Sequence, residues 1–168
     1  MNTSDITATL TTLYSELVTG ASNPGGAFIL NTGDIGLLRS LEKLSAAEAS
    51  RASLGGATIA AHARHLAYGI SLMNRWAREG GNPFADATWD EAWKTSAVDA
   101  EEWSEIRREL GEETKEWLGH LGKSRNVMPV ELHGMVASIA HLAYHLGAIR
   151  QIDRATRGPK EGTFSSTA

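Results

Sequence analysis

Apolar residues recur at three- and four-residue steps along most of this chain, and no run alternates polar and apolar over a strand's length; that pattern directs the chain into helices. Ile6, Leu10, Leu13, Tyr14, Leu17 and Val18 mark one face of a helix over 4–19, which Ser22-Asn-Pro-Gly-Gly26 stops. Asp34 caps a second segment whose stripe is Ile35, Leu38, Leu41 and Leu44, and Ser45 with Glu48 makes a capping box for a short further turn. Gly55-Gly56 and an N-cap at Thr58 introduce a long helix that turns Ile59, Leu66, Ile70, Met73 and Ala77 inward until Gly80-Gly81 and Pro83 end it. The stretch 82–98 holds a short helix with a Thr88/Glu91 box. Asp99 and Glu102 open another long helix, with Trp103, Ile106, Leu110, Trp117 and Leu121 on its inner face. Met128-Pro129 opens the last one, where Leu132, Met135, Val136, Ile139, Leu142, Leu146 and Ile149 point inward and Gly158-Pro159 ends the run.

Long helices, short loops and no strand signal make the expected fold all-α: an antiparallel four-helix bundle with short extra helices in the loops. At 168 residues the chain suits one domain, expected over 1–157 with a Ser/Thr-rich tail at 158–168. Three glycines, Gly69, Gly134 and Gly147, fall inside the helices; they either permit close helix contact or cost about 1 kcal/mol each relative to alanine. A net charge of −4 without a local basic run offers no general attraction for nucleic acid or anionic membranes. No stretch reaches the roughly 18 apolar residues of a membrane span, and the first residues lack a secretory pattern, so the expected location is cytoplasmic. The absence of cysteine removes disulfides, thiolate metal sites and a protein thiol nucleophile.

Among the six histidines, His141 and His145 form a His-x-x-x-His pair, one turn apart on the same helical face. An internal echo gives the pair more weight: His65-Leu-Ala-Tyr68 recurs as His141-Leu-Ala-Tyr144. If the two helices face each other, His65 completes a triangle with His141 and His145, and three neutral imidazoles suit Zn²⁺, Ni²⁺ or another first-row divalent ion. The competing reading is three core histidines, each hydrogen-bonded to the protein. His62, one turn before His65, either supports a ligand from behind, adds a fourth ligand or lies as a polar residue at the bundle edge. His120 and His133 belong to the surface or to helix ends. Tyr68 and Tyr144 point away from their neighbouring histidines and serve packing or an interface. Arg150 either holds a carboxylate of the substrate or thiol, or is a solvated surface arginine.

The His-Leu-Ala helix at 65–67, the segment His141-Leu-Ala-Tyr-His-Leu-Gly-Ala-Ile-Arg-Gln151, Asn74-Arg-Trp76, Asn82-Pro-Phe84 and the order of helices together resemble the DinB-like (YfiT-type) superfamily of metal-dependent bacterial proteins. The resemblance covers nearly the whole chain, with the closing segment its specific part. It implies an up-up-down-down bundle, often a homodimer, with metal ligands at His65, His141 and His145. It also implies chemistry that depends on low-molecular-weight thiols such as bacillithiol or mycothiol.

A bound divalent ion with an open position depresses the pKa of water or of an incoming thiol. With no cysteine in the chain, that thiol has to come from a cofactor or substrate. The expected function is therefore a metal-dependent transferase that activates a small thiol for attack on a small-molecule electrophile, with hydrolysis by activated water as a variant. The alternative is a non-catalytic bundle with a structural metal, or a module that binds a small ligand. A di-iron carboxylate site is disfavoured because no Glu-x-x-His pair occurs, and no zinc-protease motif, phosphate loop or dinucleotide fingerprint is present. The tryptophan-rich stretch 89–117 is expected to cover an interface.

Overall fold

A computed structural model describes residues 3–21 and 27–160 of the chain. The helix-stopping segment 22–26, the first two residues of the 1–157 span and residues 161–168 of the tail lie outside the described residues. Seven α-helices follow one another among the described residues: α1 (Thr3–Thr19), α2 (Gly36–Glu42), α3 (Ala46–Ala49), α4 (Ile59–Glu79), α5 (Trp89–Trp93), α6 (Ala100–Leu121) and α7 (Pro129–Ile152), with a 3-10 turn at Arg154–Thr156. Among the described residues there is no strand, only an isolated antiparallel bridge between Ala52 and Thr58. The fold is all-α.

Local chemistry explains most of the boundaries. The Ser45 hydroxyl accepts the Glu48 N–H while the Glu48 carboxylate receives the Ser45 N–H, and Asp99 with Glu102 closes the same reciprocal box on α6. Thr58 caps α4 by accepting the Ala61 N–H at 3.1 Å. The Thr88/Glu91 box does not form: Thr88 makes no side-chain cap, and its backbone lies at φ −110°, ψ 68° rather than in the extended conformation of an N-cap. Asp34 is not the N-cap of α2, a position taken by Ile35, but its Oδ1 accepts the Gly36 N–H at 2.8 Å and so still satisfies the helix start. The last helix stops at Ile152, well before Gly158-Pro159. Asp153 is extended and accepts the Ala155 N–H at 2.8 Å, so a new turn begins where the old helix would have continued.

The four long helices α1, α4, α6 and α7 enclose the core. α1 and α4 each contact both α6 and α7, giving the cyclic order α1–α6–α4–α7. Tyr14, Leu17, Ile59, Leu66, Trp103, Ile106, Leu110, Trp117, Leu142 and Ile149 are all fully buried. Trp103 and Trp117 thus serve the interior and not an interface; their indole N–H groups reach the Leu44 carbonyl at 2.8 Å and the Ser138 hydroxyl at 2.9 Å. Two inward assignments are corrected. Leu37 is fully buried beside Leu41 on α2 while Leu38 is only partly buried, and Val136 on α7 is 52% exposed. Of Gly69, Gly134 and Gly147, only Gly134 answers to a steric need: a Cβ there would lie 2.6 Å from Trp76 Cζ3, one at Gly69 would make ordinary contact with Trp89 at 3.5 Å, and nothing lies within 4 Å of one at Gly147.

Candidate metal centre

His65 comes from the middle of α4, and His141 and His145 come from successive turns of α7, where the two helices pack together. Their Nε2 atoms converge: His65 to His141 is 3.2 Å and His145 to His141 is 2.7 Å. This is the one group of three or more metal-ligating side chains found together among the described residues. His65 and His145 are buried and His141 is half-buried. Burial disfavours the charged imidazolium, with repulsion between neighbouring imidazolium charges adding to it at both buried residues. It pushes His65 down to about 4 and His145 to about 3, and it lowers His62 and His141 as well. All four are therefore neutral at physiological pH, the form in which a histidine ligates a metal.

The donor set fits a cation better than it fits a closed hydrogen-bond network. The Nε2 of His141 faces two other Nε2 atoms at hydrogen-bonding distance. An unprotonated ring nitrogen has a single lone pair in the ring plane, so it serves two N–H donors poorly. A cation at the common focus instead takes one lone pair from each ring. Metal–nitrogen bonds of about 2.0–2.1 Å in a tetrahedral site separate the nitrogens by about 3.3 Å. The His65–His141 pair is already at that spacing, and the His141–His145 pair has to open by roughly 0.6 Å.

His62 stands behind the triad. Its Nδ1 lies 2.8 Å from the Nδ1 of His145, the ring atom opposite the converging nitrogen. It therefore orients His145 from the rear and is not a fourth member of the cluster. The Nδ1 of His65 is buried with no hydrogen-bond partner among the described residues. Arg150 is not brought to this site. Its guanidinium bonds Asp34 Oδ1 at 2.8 Å, with both side chains largely buried, and so ties the end of α7 to the start of α2. The reading of Arg150 as a substrate clamp or a solvated arginine gives way to a buried ion pair.

Helix α5 covers the triad, a role that its sequence does not signal. Trp93 stacks on His65 with ring centroids 4.3 Å apart and meets His62 edge-on at 5.3 Å, while Trp89 lies 5.5 Å from His65. The loop is anchored to α4 at both ends of α5: the Tyr68 hydroxyl accepts the Thr88 N–H at 2.8 Å, and the Thr58 hydroxyl donates to the Thr95 carbonyl at 3.0 Å. Tyr68 thus positions the cover, whereas Tyr144 is 71% exposed and touches only the edge of His145. His120 pairs with Glu116 at 3.3 Å in the last turn of α6, and His133 is exposed on α7. No helix of the described residues is long and apolar enough to cross a membrane. No protein-family model, curated protein or solved structure is significantly similar to the chain.

Proposed function

We propose that this chain is a metal-dependent enzyme of the DinB-like kind, a four-helix bundle in which His65, His141 and His145 hold one divalent ion, zinc or nickel, for chemistry on a low-molecular-weight thiol. The observation that carries the reading is the convergence of three neutral imidazole nitrogens with His62 behind His145. The cyclic order α1–α6–α4–α7 supports the up-up-down-down course, because in that topology the first and second long helices sit on a diagonal and each touches the third and fourth.

When bound, a divalent ion lowers the pKa of a thiol or water molecule that reaches it. The chain's own residues do the rest. Three neutral ligands leave the ion's positive charge uncompensated, which favours an anionic thiolate as the incoming group. His62 holds the His145 ring in place, and Trp93 and Trp89 restrict water above His65. No cysteine competes for the ion, so the thiol is external, and the reaction class is substitution at an electrophilic carbon of a small molecule. The thiol would lose its proton to solvent, its sulfur would form a bond to that carbon, and the carbon's bond to its leaving group would break, the group departing with the electron pair.

Two measurements test the reading. Elemental analysis of protein purified without an affinity tag is expected to give about one divalent ion per chain, lost in His141→Ala. Equal metal content in the two proteins removes the site. Consumption of bacillithiol, mycothiol or glutathione with a generic electrophile is then expected from the loaded protein and not from His145→Ala. Metal that stays bound while no thiol is consumed, and whose removal unfolds the protein, assigns the ion a structural role.

A further inference from the structure

A cavity of about 680 Å³ opens between α4, α7 and the loop that carries Phe84 and Trp89, and His141 lines it. Its size falls in the range of about 300–1,000 Å³ that holds small-molecule ligands. Trp76, Phe84 and Trp89 contribute aromatic walls, and the core residues Leu66 and Ile70 form its inner surface. Among the described residues, no Asp, Glu, Lys or Arg lines it. Of Asn82, His133, Ser138 and His141 at the cavity, three are already engaged: the Asn82 side-chain carbonyl accepts the Phe84 N–H at 3.0 Å, the Ser138 hydroxyl accepts from Trp117 and donates to the Met135 carbonyl, and His141 faces the other two triad histidines. A charged or strongly polar body would lose its hydration here with little to replace it. Glycine on α7 lets one of these walls pack close. Trp76 lies so close to α7 that a Cβ on Gly134 would meet it at 2.6 Å, and Trp89 lies 3.5 Å from where a Cβ of Gly69 would sit.

We infer that this cavity binds the neutral, ring-bearing apolar part of a small-molecule substrate and brings that substrate's reactive end to His141, the one half-buried member of the triad. The second half of this inference rests on the metal-centre reading; the first does not. A second copy of the chain is the other candidate occupant, since Phe84 and Val130 at the cavity are exposed. The size and lining of the space favour the small molecule: buried core residues Leu66 and Ile70 and the rings of Trp76 and Trp89 surround a volume that suits one ligand.

The probe is 1-fluoronaphthalene, a neutral two-ring molecule, followed by fluorine NMR with untagged, metal-free protein. Saturable binding is expected for the wild type. Ala137→Trp, which fills the cavity from an exposed position on α7, is expected to weaken binding at least about tenfold, while the zinc content of separately loaded protein stays that of the wild type. Val130→Glu, which sets a charge at the mouth, is a second variant expected to do the same. Absence of binding by the wild type, or equal binding by both variants, overturns the inference. So does a wild-type dimer that excludes the probe while Ala137→Trp sediments as a monomer, because the face then belongs to a second copy. Loading with Co²⁺ is expected to broaden the resonance of the bound probe in the wild type and not in His141→Ala. Binding without that broadening, in protein that elemental analysis shows to hold Co²⁺, overturns delivery to His141. Failure to hold Co²⁺ counts instead against the metal centre.

Discussion

Replacing His62 with leucine tests the centre without touching any of its three converging nitrogens. With an ion held by the triad, the Nε2 of His145 would face it, and the remaining ring hydrogen would sit on Nδ1, which lies 2.8 Å from the Nδ1 of His62. His62 accepts that hydrogen, fixes the tautomer and raises the basicity of the ligand. Leucine of similar reach removes the acceptor and leaves a buried N–H without a partner. Losing such a supporting group costs about 10–100-fold in metal affinity, or about 1.4–2.8 kcal/mol. Competition for Zn²⁺ against a chromogenic chelator at neutral pH, with untagged protein, reads this directly. His62→Gln, which retains a side-chain acceptor, is expected to fall between leucine and the wild type. The loss should also vanish in a background already carrying His145→Ala, because the two residues act as one unit. Zinc affinity of His62→Leu within about twofold of the wild type refutes the supporting role.

Acidification is expected to destabilise the metal-free fold. The folded pKa values of His65 and His145 lie below the unfolded value near 6.5, so the unfolded chain binds more protons as pH falls. Stability is thus unaffected by these groups above about pH 6.5 and declines between there and about 4 to 3, which thermal melts from pH 7 to 5 detect before the carboxylates titrate; a midpoint that is flat or rises over that interval contradicts the assignment. Arg150→Ala leaves Asp34 buried without its cation and is expected to cost about 3 kcal/mol in urea denaturation with no change in bound metal. A loss of metal equal to that of His141→Ala would place Arg150 in the centre after all. Gly147→Ala is expected to stabilise by about 1 kcal/mol, whereas Gly134→Ala has to displace Trp76 and gains less or loses; equal melting shifts would mean that Trp76 is not held against α7.

Much of the helical outline was legible in the chain because its signals are local. Reciprocal boxes at Ser45/Glu48 and Asp99/Glu102 require residues only three apart, and both form. The period of Trp103, Ile106, Leu110 and Trp117 places them inside whichever helices they meet. The errors occur where two local signals compete or where a partner is distant. Thr88 had a box partner in Glu91, yet its N–H was taken by Tyr68 twenty residues earlier. Val136 obeys an inward spacing on a helix that is apolar nearly all round, and such a helix does not declare which face is covered.

The candidate site divides along the same line. Spacing alone set His141 and His145 on one face of a helix, and the repeated His-Leu-Ala-Tyr nominated His65 as their third, since a one-turn separation is a property of any α-helix. Only the packing of α4 against α7 brings the ligand atoms of the three histidines within 4.8 Å of one another, turns His62 toward the back of His145, and carries Arg150 away to Asp34. The covering role of Trp93 and the apolar cavity beside His141 belong wholly to the tertiary structure. They arise from contacts between elements whose separation in sequence carries no period, and distance along the chain does not encode distance through the core.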